Sequence, residues 1–165
     1  MPDSAPVIRP LDHSHAQAMA DILNPIIRAG GSTAYKTEFT AQTLTGYVFE
    51  RATLICAHGA FDGQGALAGF QWLDAADDPA QPTTYIATFA RMEPKLRGIG
   101  TALITVTKTA AREAGMADII ATIRADNVSG LAYYGKMGFV DHSVTRAVPL
   151  ADGTPVDRIS KRLVL

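Results

Sequence analysis

Between Glu93 and Ile104 the chain reads EPKLRGIGTALI, with Gly98 and Gly100 standing between a strand-like run, TYIATFARM, and a stretch with helical spacing. A strand that ends in a glycine turn opening a helix aims several backbone N–H groups at one spot, with the positive end of the helix dipole behind them. That is the chemistry of an anion site. Lys95 and Arg97 add positive charge beside it. The same glycines would also serve a tight turn that needs them only for their dihedral angles, and this stretch alone leaves both readings open. Two other phosphate loops fail on the letters. A dinucleotide fingerprint needs a third glycine where the chain has Leu103, and G-x-x-x-x-G-K-[ST] occurs nowhere.

The elements that must hold this turn alternate along the chain. APVIRP reads as a short strand and DHSHAQAMADILNPII as a helix, because Met19, Ile22, Leu23 and Ile26 recur at helical spacing. TAQTLTGYVFERA predicts a second helix. TLICAHGAF and ALAGFQWLD predict two strands joined by the turn DGQG. After TYIATFARM, a helix is predicted from Gly98 to Gly115, with Leu103, Val106, Ala110 and Ala114 as its inner face. A strand at DIIATIRA, a helix from Asn127 to Met137 and two strands around FVDHSVTRAV and VDRISKRLVL complete the pattern. It predicts an α+β fold of mixed α/β layers without internal repeats.

Composition bounds the function. With 165 residues, 47% of them hydrophobic, the chain suits one domain over residues 1–165 with a real core. A net charge of −1 and the lack of any Lys/Arg run argue against a nucleic-acid partner. MPDSAPVIRP has no apolar leader and no stretch reaches membrane-helix length, so no membrane partner and a soluble, cytoplasmic protein are expected. The single Cys56, inside TLICA, reads as a small core residue. His13 and His15 are two apart and no H-E-x-x-H occurs, so no metal is expected; no G-x-S-x-G elbow occurs either. Arg91 and Arg124 could meet an anion or lie solvated.

Lys95–Gly100 resembles the pyrophosphate-binding signature [QR]-x-x-G-x-[GA] of the GNAT superfamily of acetyl-CoA-dependent N-acetyltransferases, with Lys95 in the first position. ADNVSGLAYYGKMGFV resembles that family's second landmark, N-x-x-A-x-x-x-Y-x-K-x-G-F, with Asn127, Tyr134, Lys136, Gly138 and Phe139 in register and Gly130 in place of Ala. The resemblance implies a twisted, mostly antiparallel sheet with helices on both faces and a splayed strand pair. It implies acetyl-CoA as cosubstrate: its pantetheine arm near Thr88, Phe89, Ala90 and Met92, and its pyrophosphate on the turn Lys95, Leu96, Arg97, Gly98, Ile99, Gly100 and Thr101. Asn127 and Lys136 belong to the same expected binding set; Asn127 also reads as a helix N-cap. Tyr134 matches the tyrosine that donates toward the departing sulfur. A phenol near pKa 10 facing a thiol near 8.5 makes full proton transfer uphill by roughly 2 kcal/mol, so the implied role is a hydrogen bond in the transition state.

The front half, ILNPIIRAGGSTAYKTEFT, resembles the phosphinothricin acetyltransferase branch at Asn24, Thr37 and Glu38, which implies a small-molecule amine acceptor of amino-acid type. Two departures stand out. Tyr85 occupies the strand position where that branch carries a catalytic Glu, and near the C-terminus only Gly153 and Asp157 keep its pattern. Tyr85, Glu38 or a held water are the candidates to take the amine's proton. Homodimers are common in that branch, and the final strand reads as a candidate edge for one. The alternatives are an acetyltransferase for a protein or polyamine amine and a non-catalytic acyl-CoA sensor, which would need the glycine turn but not the Tyr134 phenol.

Overall fold

A computed structural model of the chain describes residues 4–165. Among these residues the order is β1 (Val7–Pro10), α1 (Ala16–Ala29), α2 (Ala41–Val48), β2 (Leu54–Phe61), β3 (Leu67–Ala75) and β4 (Thr83–Ala90), then α3 (Ile99–Glu113), β5 (Asp118–Arg124), α4 (Val128–Lys136), β6 (Val140–Pro149) and β7 (Pro155–Val164). The strands form one sheet in the order β1-β2-β3-β4-β5-β7-β6. Every neighbouring pair is antiparallel except β4 and β5. This is the α+β architecture expected.

Alternation along the strands feeds two cores, one on each side of the sheet. Phe70 and Trp72 of β3 meet Met19, Leu23 and Leu44 of α1 and α2, with Ala87 and Phe89 of β4 against the same cluster. Leu73 and Ile86, one step out of phase, join Ile119, Ala121 and Ile123 of β5 against Ile104 and Ala111 of α3. Each Leu, Ile, Met or Phe side chain so buried stabilises the fold by roughly 1.5–3 kcal/mol relative to exposure.

Three expectations are corrected. The inner face of α3 is Ile99, Leu103, Ile104, Thr107 and Ala111, while Ala114 is exposed. In a run of small side chains a buried threonine sets the phase, which the apolar letters alone misplace by one residue. The second helix stops at Val48, with Phe49 as its C-cap, rather than running to Ala52. The final strand is not an edge: β7 lies between β5 and β6, and the edges are β1 and β6.

The parallel pair is short. β4 and β5 are in register only at Thr83, Thr84 and Tyr85 against Asp118, Ile119 and Ile120. Beyond that point β4 keeps its partners on β3 as far as Ala90, and β5 keeps its partners on β7 as far as Arg124. Each strand follows its outer neighbour, so the sheet splays between them.

Candidate active site

The splay opens into a cavity of about 730 Å³. On one side its wall is the outgoing half of β4, where Thr88, Phe89 and Ala90 lie, followed by Met92 and Leu96 and then the glycine turn with Gly98, Ile99 and Gly100. The opposite wall includes Arg124, Asn127 and the two tyrosines of α4. Gly98 is the N-cap of α3 with φ 80°, in the left-handed region, and no side chain caps the helix there. The first-turn N–H groups of α3 therefore have no side-chain acceptor, as an anion site requires. Gly100 is glycine for another reason. A Cβ there would fall 2.5 Å from the Tyr133 ring, and the Tyr133 hydroxyl donates to the Gly100 carbonyl at 2.8 Å. Lys95, Arg97 and Thr101 are exposed beside the turn and do not line the cavity.

Tyr134 is buried in the opening, edge-on to Phe139 and 4.8 Å from the Tyr133 ring. Its hydroxyl lies 2.8 Å from Thr88 Oγ1. Gln71, fully buried on β3, donates from Nε2 to the same Thr88 oxygen at 2.8 Å. Either hydroxyl can donate in the Thr88–Tyr134 contact, and with Thr88 as the donor the phenol proton is free for another acceptor. Burial pushes the Tyr134 phenol well above its ordinary pKa and raises Tyr133 to about 12. Both stay protonated at neutral pH. A protonated phenol is suited to donate a hydrogen bond rather than to take a proton.

The far wall is tied together by polar side chains. Asn127 caps α4 by accepting from the Gly130 amide at 3.0 Å, while its Nδ2 donates to the Ser32 carbonyl at 3.1 Å. A Cβ at residue 130 would lie 2.4 Å from Asn127 Nδ2, so glycine, where the resembling motif has alanine, gives this asparagine its place. Arg124 donates from Nη1 to the Thr33 carbonyl at 3.0 Å and forks onto Asp126 at 2.9 and 2.7 Å. Arg91, the other candidate for an anion, pairs with Asp62 at 2.9 Å and with the Pro94 carbonyl at 2.6 Å. Lys136 is exposed and does not line the cavity.

The front-half residues are dispersed. Asn24 brackets Phe39 through two hydrogen bonds of 2.8 Å, which fasten the loop before α2 to α1. Glu38, expected as a candidate base, is paired with Arg28 at the surface and lines neither this cavity nor its neighbour. Tyr85, 46% exposed, lines a second cavity of about 240 Å³ on the α1/α2 side of the sheet. That cavity also contains Arg51, Trp72 and Asp74, which carried no sequence signal. Among the described residues no group of three or more His, Cys, Asp or Glu could hold a metal, and no helix is long and apolar enough to cross a membrane.

Comparison with known proteins bears on this arrangement. The model of the acetyltransferase (GNAT) family matches residues 16–139. No curated protein matches the chain at a significant level. Among solved structures, a GNAT superfamily phosphinothricin acetyltransferase from Sinorhizobium meliloti in complex with acetyl-CoA is similar with a TM-score of 0.84 at 17% identity, over 98% of this chain and 89% of that one. An N-acetyltransferase from Staphylococcus aureus Mu50 gives 0.86 at 19%, over 98% and 99%. A ribosomal-protein-alanine N-acetyltransferase from Brucella melitensis gives 0.85 at 18%, over 96% and 99%. Acceptors as different as a small molecule and a protein thus stand on one backbone, and at these identities the likeness speaks for the fold. The family match spans most of the chain and includes both the glycine turn and the α4 tyrosine, and the chain therefore belongs to the acetyltransferase (GNAT) family, whose members use acetyl-CoA.

Proposed function

We propose that the protein transfers the acetyl group of acetyl-CoA to the amine of a small molecule of amino-acid type, by direct attack within one ternary complex. The observation that carries this reading is the splay, with a buried, protonated tyrosine beside Thr88 at its side and an uncapped helix start at its mouth. Beyond Tyr85 the edge of β4 that faces β5 has lost its ladder partner, so backbone N–H and C=O groups between Ile86 and Ala90 are available to the amides of a pantetheine arm. The turn at Gly98, Ile99, Gly100 and Thr101 would receive the pyrophosphate through main-chain N–H groups. Exposed Lys95 and Arg97 add charge from outside.

Acetyl-CoA supplies an activated acetyl thioester. The amine lone pair forms the new C–N bond as the C–S bond breaks, the nitrogen gives up one N–H proton to water as the amide forms, and Tyr134 gives a hydrogen bond to the sulfur that leaves as thiolate. The amine must arrive neutral or lose its proton to water near Tyr85. An α-amino group near pKa 8 is about 10% neutral at pH 7, a cost of roughly 1.4 kcal/mol, against about 4.6 kcal/mol for a lysine-type amine near 10.4. A site with no carboxylate on β4 at this position suits the first class. The front-half resemblance and the name of the Sinorhizobium neighbour favour the same class.

Thiol release from acetyl-CoA over phosphinothricin, methionine sulfone, free amino acids, polyamines and a lysine peptide tests the proposal. Turnover is expected with the amino-acid group; turnover confined to the peptide or the polyamines would overturn the acceptor class.

A further inference from the structure

The second cavity is a built recess. Asp74 of β3 sits directly across from Tyr85 of β4, so a carboxylate stands on the strand next to the position where the resembling branch carries its Glu. Its side chain is only 9% exposed, with Thr53 Oγ1 donating to Oδ1 at 3.4 Å and Arg51 Nη1 reaching Oδ2 at 3.2 Å. Arg51 is 38% exposed, and among the described residues this is its one ion pair, which leaves most of its five N–H donors unpaired among them. The walls are aromatic: Tyr47 lies 6.2 Å from Trp72, and the Arg51 guanidinium sits 5.4 Å from the Tyr47 ring centre. Burial raises the Asp74 carboxyl pKa against the pull of Arg51. Tyr35, Tyr47, Ile86 and Ala87 line both this cavity and the large one, so the two meet at the point where β4 leaves β5.

We infer that this recess binds the acceptor as a zwitterionic α-amino acid, with its ammonium on Asp74, its carboxylate on Arg51 and its apolar side chain against the Tyr47 and Trp72 rings. The inference rests on the acetyl-transfer reading and names the substrate class of that same site. An ammonium and a carboxylate on one carbon reproduce the spacing of the Asp74–Arg51 contact with the charges reversed, so a zwitterion can lie alongside the pair and satisfy both. A plain amine would satisfy Asp74, or the exposed Asp77 that also lines the recess, and leave Arg51 no better paired than before, while a plain acid would satisfy Arg51 and leave Asp74 so. The asymmetric walls add a preference for apolar or aromatic side chains, which shed water against Trp72. From this recess the amine faces Ile86 and Ala87, next to Thr88 on β4 and across the splay from Tyr134.

Trp72 is the only tryptophan in the chain, so its fluorescence reports this recess without turnover. We would titrate the protein, with and without saturating coenzyme A, using L-phenylalanine and L-methionine and, for each, the analogue lacking the carboxylate (phenethylamine, 3-methylthiopropylamine) and the one lacking the amine (3-phenylpropionate, 4-methylthiobutyrate). Acetyl-CoA affinity is measured by calorimetry on the same samples. The expected result is a saturable Trp72 change with at least one amino acid, and at least tenfold weaker binding of both its truncated analogues. Asp74→Asn should erase the advantage over the acid analogue and Arg51→Gln the advantage over the amine analogue, with acetyl-CoA affinity unchanged within threefold. No saturable change with any of the six probes, or a truncated analogue binding as tightly as its parent, overturns the inference even if neither variant folds. Loss of calorimetric binding of acetyl-CoA by the wild type counts against the donor reading alone.

Discussion

Gly98 and Gly100 are two residues apart in one turn yet are glycines for different reasons, and substitution separates them. Gly98→Ala meets no neighbour but must hold a side chain at φ 80°, a cost of about 1–2 kcal/mol in the left-handed region. Gly100→Ala has no such dihedral penalty, but its methyl must displace the Tyr133 ring and with it the hydrogen bond to the turn. Thermal unfolding should therefore detect the first chiefly as lost stability, while calorimetry should detect the second as at least a tenfold loss of acetyl-CoA affinity. Tyr134→Phe removes one buried hydroxyl, the proposed donor to sulfur: turnover is expected to fall roughly 10²-fold, with acetyl-CoA affinity nearly kept. Unchanged turnover would remove Tyr134 from the chemistry. These residues were legible in the sequence because each belongs to a short run with fixed spacing. Gln71 and Asp74 were not, because their neighbours Thr88 and Tyr85 are brought beside them by strand pairing, and an isolated polar letter in a strand carries no mark of its partner.

At the scale of elements, the glycine turn is buttressed by a hairpin that does not touch the cavity. Asp62, in the β2–β3 turn, accepts from the Gln64 and Ala66 amides at 2.9 and 3.0 Å and from Arg91, which also holds the Pro94 carbonyl just ahead of the turn. The Arg91 hydrogen bond, with the Ala66 amide next, holds the Asp62 carboxyl below its ordinary value of 3.8. A depressed folded-state pKa contributes stability that is present above the unfolded value and lost as pH falls through the folded one. Asp62→Asn should lower the melting temperature at pH 7, and the gap to wild type should close as pH falls below about 3.8. A gap of constant size down to pH 2 would show that the charge does not matter. All four helices were expected, α1 from apolar periodicity and α4 to within a residue at each end, whereas α1 begins at Ala16, after a 3-10 turn at His13–His15, rather than at Asp12. The face of α3 was misjudged because Thr107 is polar by letter and buried in fact, beside alanines that pack equally well on either side.

At the scale of the molecule, binding at the splay bridges strands that are otherwise joined by three registered residue pairs, so the donor should act as a brace. At 100 times its dissociation constant a ligand that binds only the folded state adds about 2.7 kcal/mol, which for a chain of this size is a rise of roughly 5–10 °C in melting temperature. Differential scanning fluorimetry with acetyl-CoA checks it; no shift at saturating concentration would mean that the donor does not bind the folded chain. Strand order was the least legible level. The letters of β6 and β7 predict two strands, but nothing in them says that the last one inserts between β5 and β6, because that choice is made by long-range pairing. The two cavities share Tyr35, Tyr47, Ile86 and Ala87 but are otherwise lined by different residues, and this has a consequence for traffic. With the donor in the large cavity and the acceptor in the small one, as proposed, each would enter and leave without passing the other. Steady-state patterns should then be of the intersecting kind, with coenzyme A competing against acetyl-CoA and not against the amine.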